Sequence, residues 1–152
     1  MLVTVASVDD SAAILDLQRL AYQSEAAIYN DFSLPPLIET LEELRSQFSN
    51  RVVLKAVDQG RIIGSVRACQ NGKTCHVARL IVHPDYRRQG IGTQLMSQIE
   101  TSFRTAQRFE LFTGHRSATA IRLYQRLGYR IFKQEPVHKG LTLVFFEKKV
   151  GT

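Results

Sequence analysis

A short glycine-containing segment constrains this chain more than any other feature: Arg87-Arg88-Gln89-Gly90-Ile91-Gly92. It lies between an apolar run that ends near Val82, which predicts a strand, and a helical pattern that begins near Ile91. Glycine lacks a Cβ atom, so the backbone can turn tightly and approach a ligand, and a helix start presents unpaired N–H groups at the positive end of its dipole. The junction therefore predicts a phosphate or pyrophosphate site, to which Arg87 and Arg88 add charge-assisted contacts.

Two glycines also fit a plain strand-to-helix turn beside solvated arginines, so the loop alone leaves both interpretations open. A P-loop requires a Gly-Lys-Ser/Thr ending, and a dinucleotide fingerprint requires a third glycine with an acidic residue about 20 positions on. The chain has neither, and it also lacks an H-E-x-x-H helix, a G-x-S-x-G elbow and an EF-hand loop. These absences disfavour metal and serine-hydrolase chemistry, and no metal site is predicted.

Length and composition bound the class of protein. At 152 residues the chain has room for one core, so residues 1–152 are expected to form a single domain. A content of 44% hydrophobic and 22% charged residues is typical of globular proteins, and the net charge of +6 favours polyanionic ligands without choosing among them. The longest apolar run, residues 141–146, is far shorter than the roughly 20 residues that cross a bilayer, so it predicts a strand and no membrane contact.

The two cysteines bear on the compartment. Cys69 and Cys75 flank a predicted turn at Asn71-Gly72, and neither has partners at zinc-ligand spacing. Because no secretory h-region is seen at the amino terminus, the expected location is the reducing cytoplasm, with both cysteines as free thiols. A bridge across the turn is left open by geometry alone, if the two strands pair.

The spacing of apolar residues predicts the element order β-α-α-β-β-β-α-β-α-β-β. Strands are expected over residues 2–6, 52–57, 61–69, 74–82 and 109–113, with a final hairpin over 129–150. Helices are expected over 11–28, 37–48, 91–103 and 118–127, and Thr40 with Glu43 has the spacing of a capping box. Strand-helix-strand segments need crossovers, whereas a meander needs none. The order therefore predicts an α/β (α+β) fold, with a mixed, mostly antiparallel seven-stranded sheet and helices on both faces.

Two blocks of sequence carry a family resemblance. Residues 80–96, Leu-Ile-Val-His-Pro-Asp-Tyr-Arg-Arg-Gln-Gly-Ile-Gly-Thr-Gln-Leu-Met, resemble the acetyl-CoA-binding motif of the GNAT superfamily of N-acetyltransferases, R/Q-x-x-G-x-G/A after a strand and opening a helix. Residues 120–129 resemble the later motif of that family, an alanine, then Tyr124 four residues on, then Gly128-Tyr129 at the start of the next strand. Both blocks have the family's order and spacing, so the resemblance covers nearly the whole chain and implies the GNAT-like sheet.

The resemblance implies acetyl-CoA as the cosubstrate. Main-chain groups of Leu80, Ile81 and Val82 are expected to bind its pantetheine arm, with the Leu80 amide placed to meet the thioester oxygen. The expected pyrophosphate contacts are Arg87, Arg88, Gln89, Gly90, Ile91, Gly92 and Thr93. Ser117 stands where the family often has an asparagine that contacts the cofactor. Its shorter hydroxyl is expected to cap the following helix, and Ser117 is retained as a predicted cofactor contact.

Acetyl transfer to an amine sets three chemical requirements. The amine must be neutral, the thioester oxygen needs a fixed N–H donor, and the leaving thiolate needs a proton. Tyr124 matches the tyrosine of the family that reaches the CoA sulfur, and a phenol with an ordinary pKa of about 10 can donate that proton. An aromatic residue at helical spacing is more often part of the core, and this interpretation stands beside the acid role.

His76 is the predicted base. Strand periodicity places it on one face with Ala78, Leu80 and Val82, and it falls where some relatives that acetylate lysine carry a glutamate. Histidine has an ordinary pKa of about 6.5, so it can accept a proton at neutral pH, directly or through water. The alternative is a half-buried histidine that only hydrogen-bonds within the sheet.

The remaining histidines and the acceptor pocket are less constrained. His115 is the reserve candidate for the base, whereas His83 and His138 are expected in loops. In this family the first two helices and their connection shape the acceptor pocket. That rule points to the following residues, which fit core positions equally well: Tyr22, Tyr29, Phe32 and Leu34.

Together these observations predict an N-acetyltransferase that moves acetyl from acetyl-CoA to a primary amine of a small molecule or peptide, by direct attack in a ternary complex. The competing hypothesis is a catalytically silent CoA-binding sensor or regulatory module with the same fold. A nucleic-acid-binding domain is disfavoured, because the arginines concentrate at the predicted phosphate site and no DNA-reading or RNA-reading motif is present. A homodimer is left open.

Overall fold

The computed structural model describes residues 1–150, which form seven strands and six helices. The strands are β1 (Leu2–Val5), β2 (Val52–Asp58), β3 (Arg61–Asn71), β4 (Thr74–Val82), β5 (Arg108–Gly114), β6 (Arg130–His138) and β7 (Leu141–Lys149). The helices are α1 (Ser11–Ala21), α2 (Gln23–Tyr29), α3 (Pro35–Ile38), α4 (Leu41–Gln47), α5 (Ile91–Thr101) and α6 (Ala118–Arg126). Short 3-10 turns at Val8–Asp10 and Pro84–Tyr86 precede α1 and α5.

All seven strands belong to one sheet with the order β1-β2-β3-β4-β5-β7-β6. Every neighbouring pair is antiparallel except β4 and β5, which are parallel and joined through the crossover helix α5. This confirms the predicted mixed, mostly antiparallel seven-stranded sheet. The turns at Gln59-Gly60 and Gly72 have positive φ at Gln59, Gly60 and Gly72, which fits their role in the meander from β2 to β4.

Helices cover both faces of the sheet, as predicted. On one face, α5 and α6 pack onto the main core, to which Leu95, Ile99 and Tyr124 contribute. On the other face, α1 and α4 pack against β2 and β3 through Ile14, Leu44 and neighbouring residues. Within residues 1–150, no helix is long and apolar enough to cross a membrane.

Both amino-terminal helices were predicted as single segments, and each is divided in the structure. The first breaks at Tyr22, which ends α1 and begins α2 with φ −83° and ψ −1°. Leu17 of α1 and Tyr29 of α2 lie in different apolar clusters on the two sides of this break. The second breaks before Thr40, whose extended backbone and side chain form the predicted capping box with Glu43.

The two cysteines are free thiols. In the β3–β4 ladder Cys69 lies opposite His76, and Cys75 lies opposite Gln70. Residues directly opposite share a face and neighbouring residues alternate, so the two sulfurs lie on opposite faces of the sheet. No bridge forms across the turn for that reason. Burial, and then the nearby Cys69 and Glu100, raises the pKa of Cys75 to about 12.

Candidate active site

Strands β4 and β5 pair only over their first residues and then diverge. Their parallel ladder has three pairs, the last joining His76 to Glu110, although β4 continues to Val82 and β5 to Gly114. Beyond the third pair, the facing edges of these strands have no neighbour in the ladder. A wedge-shaped gap therefore opens in the middle of the sheet, flanked by main-chain groups of β4 that are free to bind a ligand.

A bulge interrupts β4 beside this gap. The ladder with β3 reaches Ala78 and resumes at Ile81, so Arg79 and Leu80 have no partner on β3. Arg79 has φ +57°, a left-handed conformation that is uncommon for residues other than glycine. Because Leu80 lacks a ladder partner on either side, its amide is available at the position where the thioester oxygen was predicted to bind.

The bulge also corrects one prediction. Before it, Val77 points into the main core, whereas after it Leu80 and Val82 pack against that core and Ile81 turns to α1. An extra residue reverses the alternation of side chains. His76 therefore does not share a face with Leu80 and Val82, and the prediction that it did was wrong because it assumed unbroken strand periodicity.

The glycine loop joins the gap to the start of α5. Arg88 has φ +64° and Gly90, the N-cap residue, has φ +78°, so the chain turns in a left-handed conformation immediately before the helix. No side chain caps α5, and the first helical hydrogen bond runs from the Gln94 amide to the Gly90 carbonyl. The amides of the first turn are thus left for a ligand, and Gly90 faces open space.

The second glycine has a different role. A Cβ atom on Gly92 would lie 3.2 Å from Leu123 of α6, tighter than ordinary packing. The missing side chain lets α5 and α6 approach closely. In the same loop, exposed Arg87 donates to the Ser24 hydroxyl of α2 at 3.3 Å, so this arginine contacts the amino-terminal helices.

Tyr124 lies on α6, and its side chain is buried in the main core. It is 7% exposed, and its ring packs against Phe146 and Tyr129 with centroid distances of 5.7 and 6.1 Å. Burial raises the pKa of Tyr124, and the nearby Tyr22 and Glu25 raise it further. The phenol is thus protonated at neutral pH, as a proton donor must be.

The neighbours of Tyr124 lie on both sides of the sheet. Its ring is in the core beneath α5 and α6, yet Tyr22 belongs to the cluster that packs on the opposite face with Ile81. Tyr22 and Glu25 nevertheless act on the pKa of Tyr124, so charge on the α1 side of the sheet influences the phenol.

Ser117 is 2% exposed and does not cap α6 with its side chain. Its hydroxyl donates to Glu25 Oε2 at 2.6 Å and lies 2.7 Å from the Tyr29 hydroxyl, which accepts the Arg116 amide at 2.9 Å. The expected helix cap was wrong: Ser117 has φ −82° and ψ 69°, which is not the extended backbone usual for an N-cap residue, and its hydroxyl bonds to Glu25 and Tyr29 instead. A Cβ atom on Gly114 would collide with the Tyr29 ring, so that glycine makes the network possible.

The histidines divide clearly. Nδ1 of His115, His83 and His138 accepts a backbone amide hydrogen, from Thr142, Asp85 and Gly140 respectively. Within residues 1–150, His76 is the histidine without such a bond; its side chain is 46% exposed and Nδ1 lies 3.8 Å from Glu110 Oε2. His83 and His138 therefore have loop or strand-end roles, and the reserve candidate His115 has one nitrogen already engaged.

The predicted acceptor-pocket residues separate in the structure. Tyr22 lies beside Tyr124, and Tyr29 belongs to the Ser117 network. Leu34 is buried with Tyr29 and Leu141, whereas Phe32 is 61% exposed. Sequence reasoning missed Glu25, since one glutamate among many surface carboxylates on a helix carries no local signal.

Sequence reasoning also missed a buried polar cluster beside Tyr22, formed by Gln18, Glu39, Arg67 and Arg79. Arg67 Nη2 donates to both Glu39 oxygens at 3.1 and 2.9 Å, and Gln18 Nε2 donates to Glu39 Oε1 at 2.9 Å. Burial alone would raise the pKa of Glu39, but hydrogen bonds from Gln18 and Arg67 and the charges of both arginines lower it. Glu39 is therefore held as a carboxylate.

Residues 21–150 match the family model described as the acetyltransferase (GNAT) domain. That span is most of the chain, and the chain belongs to the GNAT acetyltransferase family, as the resemblance indicated.

Individual relatives agree with this assignment. The UPF0157 protein YqkA of Bacillus subtilis is 27% identical over 133 residues, which are 88% of this chain and 38% of that protein. NAA20 of Arabidopsis thaliana, the catalytic subunit of the N-terminal acetyltransferase B complex, is 32% identical over 78 residues, 49% of this chain and 45% of that protein. This chain thus spans less than half the length of either relative.

A solved structure confirms the fold independently. The PaiA N-acetyltransferase of Thermoplasma acidophilum, crystallised with coenzyme A, superposes with a TM-score of 0.81. The match covers 99% of this chain and all of that one, at 16% sequence identity. The likeness is therefore one of architecture over the whole chain.

Proposed function

We propose that this protein is an N-acetyltransferase that moves acetyl from acetyl-CoA to a primary amine of a small molecule or peptide. The observation that carries the proposal is the gap between β4 and β5, with an uncapped helix start at one end and a buried, protonated tyrosine at the other. A thioester lying in such a gap meets a phosphate site and an acid in one extended cleft.

Acetyl-CoA supplies the activated acetyl group as the cosubstrate, and the residues present fit it. The uncapped α5 amides and the open space at Gly90 suit a pyrophosphate, to which Arg87, Arg88 and Gln89 add side-chain donors, with Ile91, Gly92 and Thr93 in the first turn. The unpaired main chain at Leu80, continued by Ile81 and Val82, suits the pantetheine arm. Ser117 stays a prediction as a contact, since its hydroxyl is engaged with Glu25 and Tyr29.

Transfer proceeds by direct attack in a ternary complex. The neutral amine attacks the thioester carbon, the Leu80 amide stabilises the oxyanion, and Tyr124 protonates the departing thiolate. Cys75 is unsuited to a covalent acetyl intermediate, because its thiol is buried and its pKa of about 12 leaves almost no thiolate at neutral pH. The raised pKa of Tyr124 keeps the required proton on the phenol.

The base is assigned to His76. Its ring nitrogens are not committed to backbone amides, and Glu110 lies near enough to orient the ring. Glu25 is the competing candidate, because its carboxylate lies beside Tyr22 and Tyr124 on the amino-terminal helices that wall the acceptor side. The two candidates lie on different elements, His76 on β4 and Glu25 on α2, and are separable by mutation.

The sharpest test is thiol release from acetyl-CoA with a panel of amines, measured together with a thermal shift. We expect acetyl-CoA to raise Tm and at least one amine to give turnover. A thermal shift without turnover for any amine would support the silent sensor and sink the enzyme proposal. The cytoplasmic location and the homodimer remain predictions; fractionation and light scattering test them.

A further inference from the structure

The buried polar cluster of Gln18, Glu39, Arg67 and Arg79 has hydrogen-bond donors that its own residues do not use. Arg67 Nη1 and Arg79 Nε are buried and have no hydrogen-bond partner within residues 1–150. Arg79 Nε lies 3.8 Å from Glu39 Oε1, beyond hydrogen-bond distance. Unpaired buried donors of a charged group cost free energy, so their presence indicates an acceptor that comes from outside the chain.

The charges of the cluster favour an anion. Two guanidinium groups share one buried carboxylate, and Arg67 is only 5% exposed. Glu43 lines the same cavity of about 210 Å³ as Glu39 and Arg79, but it is exposed and its carboxylate accepts the Thr40 amide. Gln18 Oε1 is an unpaired acceptor in the cluster, and it suits a water or an N–H of the bound molecule.

The cluster lies next to Tyr22, because the Tyr22 amide donates to the Gln18 carbonyl at 3.0 Å and residues four apart share a helix face. The charge of Arg79 lowers the pKa of Tyr22 against the larger effect of burial, which agrees with this placement. Tyr22 and Glu25 in turn raise the pKa of Tyr124. A carboxylate and a pair of arginines therefore flank Tyr22 near the proposed acid, which matches a molecule with an amine and a carboxylate close together.

We propose that Arg79 and Arg67 bind a carboxylate of the acceptor, so the acceptor is an amino acid or a short peptide whose carboxylate lies close to the reacting amine. This inference rests on the proposed function. A guanidinium group presents a planar fork that pairs with a carboxylate through two parallel hydrogen bonds. In the reaction the amine nitrogen bonds to the acetyl carbon and loses a proton to the base, while the C–S bond breaks and the sulfur takes the Tyr124 proton. The carboxylate makes no covalent bond.

Matched acceptors test the inference. Thiol release is measured with amino acids and with the corresponding amino acid amides, which keep the amine and lose the carboxylate charge. Removing that charge lowers the pKa of the amine, so a larger fraction of the amide substrate has a neutral amine at a given pH. Without recognition of the carboxylate, the amide would therefore be the better acceptor. We expect the wild-type protein to prefer the free acid by about 10²-fold in kcat/KM. Dipeptides with free or amidated carboxyl ends then distinguish a free amino acid from a peptide.

Variants localise the preference. Arg79→Gln should reduce the acid-to-amide ratio at least about tenfold without changing the thermal shift given by acetyl-CoA, and Arg79→Lys should restore part of it. Arg61→Gln, at an exposed arginine of β3, serves as the matched control and should leave the ratio unchanged.

A binding measurement on the wild-type protein covers the case in which the variants fail to fold. N-acetyl amino acids, the products, should raise Tm in the presence of CoA, whereas their amides should not. Equal turnover of acids and amides, or equal shifts by both products, overturns this inference and leaves the proposed function intact. Absence of turnover with every amine overturns the proposed function, and the product shift still decides whether the arginines bind a carboxylate.

Discussion

The two ends of the candidate site are built from different parts of the chain. At the phosphate end, consecutive residues 87–93 turn through Arg88 and Gly90 and present main-chain amides to solvent. At the acceptor end, side chains from α1, β3, β4 and the turn after α3 meet in a buried cluster. Local backbone shape is enough to bind a phosphate, whereas recognition of an acceptor needs side chains placed by the whole fold.

The largest expected effect falls at the proposed acid, Tyr124. Tyr124→Phe keeps the ring packing against Phe146 and removes only the hydroxyl, so turnover should fall by about 10² to 10⁴ with acetyl-CoA binding retained. Thiol release at saturating substrates measures the loss, and a thermal shift with acetyl-CoA is the control. Unchanged turnover would return Tyr124 to a role in the core alone.

The assignment of the base gives the next effect. His76→Gln should lower turnover by about 10²-fold near neutral pH and flatten the rising limb of the pH profile. Glu25→Gln is the matched comparison at the acceptor end, where we expect a raised KM with the shape of the profile preserved. The reverse pattern, in which Glu25→Gln flattens the rising limb of the pH profile, would assign the base to Glu25 of α2 instead of His76 of β4.

The phosphate end is tested by a pair of glycines in the same conformation. Gly90 and Gly60 have φ of +78° and +77°, and a Cβ atom on either would meet open space. Glutamate therefore strains both backbones alike, but only Gly90→Glu places a negative charge at the start of α5. At 100 times its dissociation constant acetyl-CoA adds about 2.7 kcal/mol of stability, and Gly90→Glu should abolish that gain. A full thermal shift in Gly90→Glu would place the pyrophosphate elsewhere.

The smallest effect is present at neutral pH and is lost in acid. Hydrogen bonds and two arginines lower the pKa of Glu39 despite its burial, so its stabilising contribution is present above the unfolded glutamate pKa of about 4.3. That contribution is lost as pH falls through the lower pKa of the folded state. Measured by urea unfolding, the difference in the free energy of unfolding between wild type and Glu39→Gln should decrease from pH 7 to pH 3. The exposed control Glu42→Gln should show the same pH dependence as wild type. A difference between wild type and Glu39→Gln that does not change with pH would contradict the stabilisation of the Glu39 carboxylate by its partners.

The local structure of the proposed phosphate end was predictable from sequence because its signal is contiguous. The two glycines, their place after an apolar strand and the start of α5 all lie within residues 80–96, and the structure has each of them where the pattern put it. The element order and the mixed sheet followed equally from periodicity and turn residues. Family membership followed from the same block and from the later one at Tyr124.

The acceptor end was not predictable, since its residues meet only after folding. Glu39 lies in a short connection and Arg67 in a strand, and nothing near either position in the sequence marks a site. The β4 bulge at Arg79 broke the strand period that had placed His76 with Leu80 and Val82. Ser117 was expected to cap a helix, but its hydroxyl donates a hydrogen bond to the carboxylate of Glu25, which is distant in sequence.

The three-pair seam between β4 and β5 has a mechanical consequence. Seven residue pairs join β5 to β7, whereas three join β4 to β5. The sheet therefore consists of two halves, β1–β4 and β5–β7, that are connected by a short ladder. In the proposed complex the pantetheine arm lies in this gap and hydrogen-bonds to β4, so the ligand links the two halves of the sheet where the strands are unpaired. Ligand binding should therefore slow amide hydrogen exchange in residues 77–82 and 111–114, at the strand edges that face the gap. This measurement detects the bound ligand without turnover.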